Sequence, residues 1–303
     1  MNPEVIDKDF MPFSPEQLAA RFAFTSRKGA SDPVARFVDS AKRYRAHVAD
    51  LEAATDPREV RRARQIEKDE TFWTAACLMR FYEASNRQKL FAELLDRALD
   101  RGPDAVGYPT WTHALDGDLE LFFEVGLSSP MAYREWLRDN LKSRNLVPYV
   151  LEAGAGRTNL EGRTHLDALL LAPQTGFAVH FEAKVTSDID SKVSFDLMRN
   201  QIARNIDCML EAPGGRSRPP LSLREPDRSV FVLLTPQVFR DNPHSRFYGC
   251  LMDEYRKNPR ALARDLAHRQ DDPDWNQLSK RLGWLTWEEC NEVLPGSCGW
   301  LTR

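Results

Sequence analysis

Between Thr164 and Asp207 the chain alternates apolar and polar residues closely enough to restrict its local structure: THLDALLLAPQTGFAVHFEAKVTSDIDSKVSFDLMRNQIARNID. Successive side chains of a strand point to opposite faces. His165, Asp167, Leu169 and Leu171 then share one face, and Leu166, Ala168 and Leu170 the other. Pro173 and Gly176 supply a tight connection. In the next run Phe177, Val179, Phe181, Ala183 and Val185 share a face, opposite Ala178, His180, Glu182 and Lys184. Paired as a hairpin, the two strands bring Asp167 across the ladder from Glu182 and Lys184. Beyond them Phe195, Met198, Ile202, Ile206 and Met209 recur at intervals of three and four, the apolar stripe of a helix. Gln201, Arg204 and Asn205 fall on its adjacent face.

Two carboxylates and a lysine gathered at a sheet end have a specific chemical use. Hard divalent cations favour carboxylate, carbonyl and water oxygens, so Asp167, Glu182 and the backbone carbonyl of Ala183 form a ligand set for Mg²⁺, with Mn²⁺ as a substitute. Such an ion polarises a phosphodiester and acidifies a bound water. Lys184 would orient that water or help to deprotonate it. A Glu-x-Lys triplet alone is weak, since the polar face of any half-exposed strand can carry one. Asp167 on a neighbouring strand strengthens it. So does the place of Glu182 after FAVHF, where an unpartnered carboxylate is costly.

The flanking sequence reads as helices and strands in a definite order. Ser129-Pro130 opens a helix over MAYREWLRDNLKS. LVPYVLEAG (146–154) reads as a short strand, and the unbroken apolar run in RSVFVLLTP as a strand covered on both faces. The order from 129 to 236 is then α-β-β-β-α-β, a mixed α/β class. Before it come helices: Ser14, Pro15 and Gln17 form a capping box. Val34, Phe37, Val38, Ala41, Tyr44 and Val48 make one apolar face, and further helices cover Phe72 to Phe81 and Asn86 to Leu99. Gly102-Pro103 and Gly107 to Pro109 interrupt the pattern. The chain divides there into a helical region, 1–110, and a second region, 111–303. From His244 onward the pattern is helical again and ends in the tryptophan-rich RLGWLTWEECNEVL.

These features resemble the PD-(D/E)xK nuclease superfamily, the restriction-endonuclease-like fold. The resemblance rests on Asp167, Glu-Ala-Lys at 182–184, QIAR at 201–204 and the order of elements from Ser129 to Pro236. It implies a divalent-metal nuclease with Asp167 and Glu182 as metal ligands, Lys184 as the catalytic lysine and Gln201 as an accessory residue. Leu166 stands where many members have proline. The glutamate that many members carry on a helix before the first strand has two candidates, Glu135 and Glu152. The implied partner is nucleic acid, DNA before RNA, and a homodimer is compatible with the pattern. A nuclease-like fold without turnover, serving as a nucleic-acid-binding or assembly module, is the alternative. A chance match in some other α/β binder is the third reading.

Other residues weigh less. His165 and His180 lie on the inferred active face within reach of a phosphate, although a strand histidine more often packs. Arg204 either meets a phosphate or ties its helix to the sheet. Lys192, Arg199, Arg216, Arg218 and Arg224 are candidates for backbone contact, and Trp284, Trp287 and Trp300 for base stacking or core. The net charge of −3 gives no overall basic field. Five scattered cysteines without metal spacing suit reduced thiols. The acidic N-terminus lacks a signal-peptide pattern and no run reaches membrane-spanning length, so a cytoplasmic protein is expected.

Overall fold

A computed structural model describes residues 5–25, 32–49, 56–190, 194–214, 218–269 and 273–299. Its centre is a five-stranded mixed sheet: β1 (Glu120–Leu127), β2 (Thr164–Ala172), β3 (Phe177–Ala183), β4 (Ser229–Thr235) and β5 (Leu282–Thr286), which lie side by side in that order. β2 runs antiparallel to its neighbours β1 and β3, while β4 and β5 run parallel to β3. The hairpin between β2 and β3 turns at Gly176, whose φ of 74° lies in the left-handed region that glycine enters freely.

Helices cover both faces. On one, the helices Glu70–Glu83 and Arg87–Ala98 share a core with Phe123, Ala168, Leu170, Val179, Phe181, Val232 and Leu285. All five apolar positions from Phe177 to Val185 face this side, as their alternation predicts. One apolar core therefore spans residue 110, with helices from before it packed on strands from after it. On the other face the helix Gln201–Leu210 inserts Ile202, Ile206 and Met209 among Phe231, Leu233, Tyr248 and Trp284. No helix among the described residues is long and apolar enough to cross a membrane.

Four local expectations are corrected. The segment 146–154 is not a strand: Pro148–Gly154 is a short helix with proline in its first turn, where a missing N–H costs nothing. The first strand is instead β1, ELFFEVGL. Both of its faces are covered, Phe123 by the main core and Phe122 by Phe24, so it lacks a clean alternation. The motif helix starts at Gln201 rather than Phe195, because the Asn200 side chain accepts from Ala203 N and caps it there. Met198 is consequently 56% exposed and no part of the stripe. Finally, the tryptophan-rich C-terminal segment contains strand β5 as well as a helix, Trp287–Val293.

β2 also departs from strict alternation. Leu166 packs with Leu169, Leu171 and Phe122, whereas Ala168 and Leu170 lie in the main core. In β1 the same exchange separates Val125 from Phe123. The faces change at Asp167 and Glu124, and Glu124 is the one non-glycine among the described residues with a positive φ, 48°.

Candidate active site

The two strands place Asp167 and Glu182 opposite one another, one step beyond the paired residues Ala168 and Phe181. The exchange of faces drops the Asp167 carboxylate into the gap between the strands, where Oδ2 accepts from Ala183 N at 2.7 Å. That bond replaces a ladder bond, and Lys184 N turns the other way to Leu234 O at 2.8 Å. The N–H and C=O of one strand residue point to the same side, so regular strand geometry would open the Ala183 carbonyl toward the same gap.

Glu182 is fully buried and held by three donors. Lys184 Nζ and Gln201 Nε2 each donate to Oε1 at 2.7 Å, and Asn205 Nδ2 donates to Oε2 at 2.6 Å. Gln201 and Asn205 are four residues apart and therefore share a helix face. Thr164 Oγ1 donates to Asn205 Oδ1, which fixes the orientation of that amide. The backbone carbonyl of Lys184 accepts from Trp287 Nε1 at 3.0 Å, so the C-terminal helix braces the lysine.

A fourth side chain arrives from the N-terminal region. Glu70 occupies the first turn of its helix, which Asp69 caps, and a carboxylate there is favoured by the helix dipole. Its Oε1 accepts from Val185 N and Ser187 Oγ, and its Oε2 lies 3.8 Å from Lys184 Nζ. Glu70 is thus a helical glutamate that reaches Lys184 and the backbone just beyond β3. Glu135 and Glu152 are both exposed and make no bond to the site. The cue in the sequence was present, an acidic capping pair opening an apolar helix, but nothing local tied it to Val185, 115 residues further along the chain.

The charges do not balance. Burial raises the Asp167 pKa to about 8, and the Glu182 carboxylate adds to the effect against the opposing pull of Lys184. Burial alone would lower Lys184, but the carboxylates of Glu182, Asp167 and Glu70 outweigh it and hold the amine above the ordinary lysine range. Lys184 is therefore an ammonium facing three acids.

Among the described residues no group of three or more His, Cys, Asp or Glu side chains is arranged to hold a metal ion. A smaller donor set does fit one. Asp167 is half-buried and its Oδ1 makes no hydrogen bond among the described residues, Glu182 retains a lone pair, and regular strand geometry would turn the Ala183 carbonyl toward the same gap. One or two carboxylates with remaining water ligands is the usual protein share of a Mg²⁺ shell.

The other candidates are placed elsewhere. His180 shares the face of Glu182 but is fully buried, has no hydrogen-bond partner, and is held far below the ordinary histidine range by burial and by Arg224 and Arg281. It cannot touch a phosphate from there. His165 is half-buried. Arg199 is not a surface cation: it is buried against Glu161 and Asp207, with its guanidinium 3.6 Å from the Tyr133 ring centre. Arg204 ties its helix to the loop before β2, bonding the carbonyls of Gly162 and Arg163 and sitting 3.1 Å from Glu161. Arg224 is buried and bonds the last carbonyls of the Gln201 helix. Arg218 is exposed and donates to Ala23 O. Trp284 and Trp287 are core residues. Lys192, Arg216 and Trp300 lie outside the described residues. Asn205 is the further site residue, marked in the sequence only by its spacing from Gln201.

Comparison of the chain with protein-family models, characterised proteins and solved structures gives no match.

Proposed function

We propose that this protein is a divalent-cation-dependent nuclease of the PD-(D/E)xK type that hydrolyses phosphodiester bonds, with DNA as the preferred substrate. The observation that carries the reading is the gathering of Asp167, Glu182 and Lys184 at one end of β2 and β3 with Glu70 beside them. The order of elements supports the restriction-endonuclease-like core: the Glu70 helix, then β1, β2 and β3, the Gln201 helix and β4, with the helices Arg87–Ala98 and Trp111–Ala114 inserted before β1 and two more between β1 and β2.

Asp167, Glu182 and the Ala183 carbonyl would hold Mg²⁺ or Mn²⁺, which supplies the positive charge that polarises the phosphodiester and acidifies a water. Gln201 and Asn205 fix the Glu182 carboxylate. Lys184, as an ammonium, donates toward the attacking water and the phosphate oxygens. Proton removal by Lys184 requires the surrounding negative charge to be neutralised first. In the hydrolysis water adds to phosphorus, the phosphorus–oxygen bond to the leaving sugar breaks, and the leaving oxygen takes a proton.

The test is cleavage of supercoiled, linear and single-stranded DNA, and of RNA, with Mg²⁺ or Mn²⁺. Asp167→Asn and Lys184→Ala should each lose at least about a hundredfold in rate. Equal cutting by both variants and the wild type would place the chemistry elsewhere. One observation favours the alternative, a binding or assembly module. Arg199, Arg204 and Arg224, three of the cations expected beside the site, are engaged within the fold. That reading predicts no cleavage and no Mn²⁺ binding.

A further inference from the structure

Glu124 has no role in the sequence reading, yet several features converge on it. The register pairs Phe123 with Ala168 and Val125 with Leu166, so Glu124 falls opposite Asp167, which itself falls opposite Glu182. Its backbone sits at a φ of 48°, where a side chain other than glycine is strained. Its side chain is buried, 3% exposed, although it bears a carboxylate. Thr71 Oγ1 donates to its Oε1 at 3.1 Å, and Thr71 directly follows Glu70.

We infer that Glu124 is a positioning residue for the candidate site. The exchange of faces in β1 and β2 happens at Glu124 and Asp167 together. In regular strands Asp167 would project from one face and Ala183 N would seek a backbone carbonyl of β2. With the kink, Asp167 lies between the strands and caps Ala183 N. A strained conformation persists only where its surroundings over-determine it. The bond from Thr71 supplies one such constraint, because it fastens the kinked point of β1 to the helix turn that presents Glu70. That hydrogen bond thus links the strand position opposite Asp167 to the turn that carries Glu70, although they come from distant parts of the chain. Catalysis is sensitive to displacements of about 1 Å, so such a brace matters to function more than to fold. The purpose assigned to this brace rests on the nuclease reading, whereas its geometry does not.

The experiment is amide hydrogen exchange across β3, read for Ala183 against Val179 and Phe181, with Mn²⁺ affinity measured on the same preparations. Asp167→Ala removes the acceptor and should speed Ala183 exchange selectively. Glu124→Ala and Thr71→Val should do the same, at least about tenfold, and weaken Mn²⁺ binding by a comparable factor. Glu124→Gln keeps an oxygen for the Thr71 hydroxyl and should remain within about threefold of wild type. Should Glu124→Ala fail to fold, Thr71→Val reads the same bond from its other end. Unchanged Ala183 exchange in both, or a uniform acceleration across β3, would overturn the inference. A wild type that binds no Mn²⁺ and cuts nothing, with the selective exchange pattern intact, would remove the nuclease reading and leave the brace standing.

Discussion

Two buried charge clusters flank the Gln201 helix, and they differ in one respect. Toward the sheet, Gln201 and Asn205 reach Glu182, where Lys184 is the one cation that the described residues place among Glu182, Asp167 and Glu70. Behind the helix, Glu161 and Asp207 meet Arg199, Arg204 and Arg269, with His268 Nε2 3.0 Å from Asp207. Next to this, Asp196 pairs with Arg144 and accepts from Tyr133 Oη. The second cluster supplies a partner for each acid and is complete as it stands. The first, counted over the described residues, has more acids than cations in a partly buried place, which folding alone would not favour. Among the described residues that excess is left uncompensated, and this motivates the proposal that the site takes a cation.

Substitutions that remove one charge from each cluster sharpen the contrast. The largest effect is expected from Arg199→Met, which leaves Glu161 and Asp207 without their central partner and should cost about 3–5 kcal/mol in urea unfolding. A cost below about 1 kcal/mol would show that the rear cluster is not needed for stability. Next comes a matched pair. Asp207→Asn should destabilise by about 3 kcal/mol, since the acid it replaces is compensated. Asp167→Asn should leave stability unchanged or raise it by about 1 kcal/mol, as substitutions at strained active sites often do. Effects of the same sign and size would break the comparison.

The two aspartates also titrate in opposite senses. Burial raises Asp207, but the bond to His268 and the charges of Arg199 and Arg269 outweigh it and hold the carboxyl below its ordinary range. Its contribution to stability is therefore present above the ordinary aspartate pKa and is lost as pH falls below it. Asp167 is raised, so its contribution is present at low pH and is lost as pH climbs from about 4 toward 8. Melting curves from pH 4 to 9 in chelator should show the second loss in wild type and not in Asp167→Asn. The smallest effect belongs to the surface. Lys257→Ala removes an exposed pair with Asp253 and should change stability by no more than about 0.5 kcal/mol.

The hairpin was legible because β3 carries its polar residues at period two and places Glu182 and Lys184 together, whereas the break of alternation at Asp167 was not. Gln201 was legible from its helix. β1 was not, since ELFFEVGL is covered on both faces and offers no alternation, while LVPYVLEAG imitates a strand through its apolar residues although Pro148 starts a helix there. Glu70 and Glu124 were hidden for a different reason. Each acts through tertiary contacts, to Lys184 and to Thr71, that no local spacing encodes. Arg199 misled because a buried arginine with two acids and an aromatic face beneath it reads, in sequence, like any surface cation.

The central claim is that the charge deficit around Lys184 exists to hold a divalent cation. Titration calorimetry of Mn²⁺ into wild type and Asp167→Asn at pH 6, 7 and 8 tests it directly. Wild type should bind with release of a proton from Asp167 at pH 6 and 7, and its apparent affinity should rise toward pH 8. Asp167→Asn, folded and at least as stable, should lose both the binding and the proton release. Binding of equal strength by the two proteins, or none by either, would contradict it.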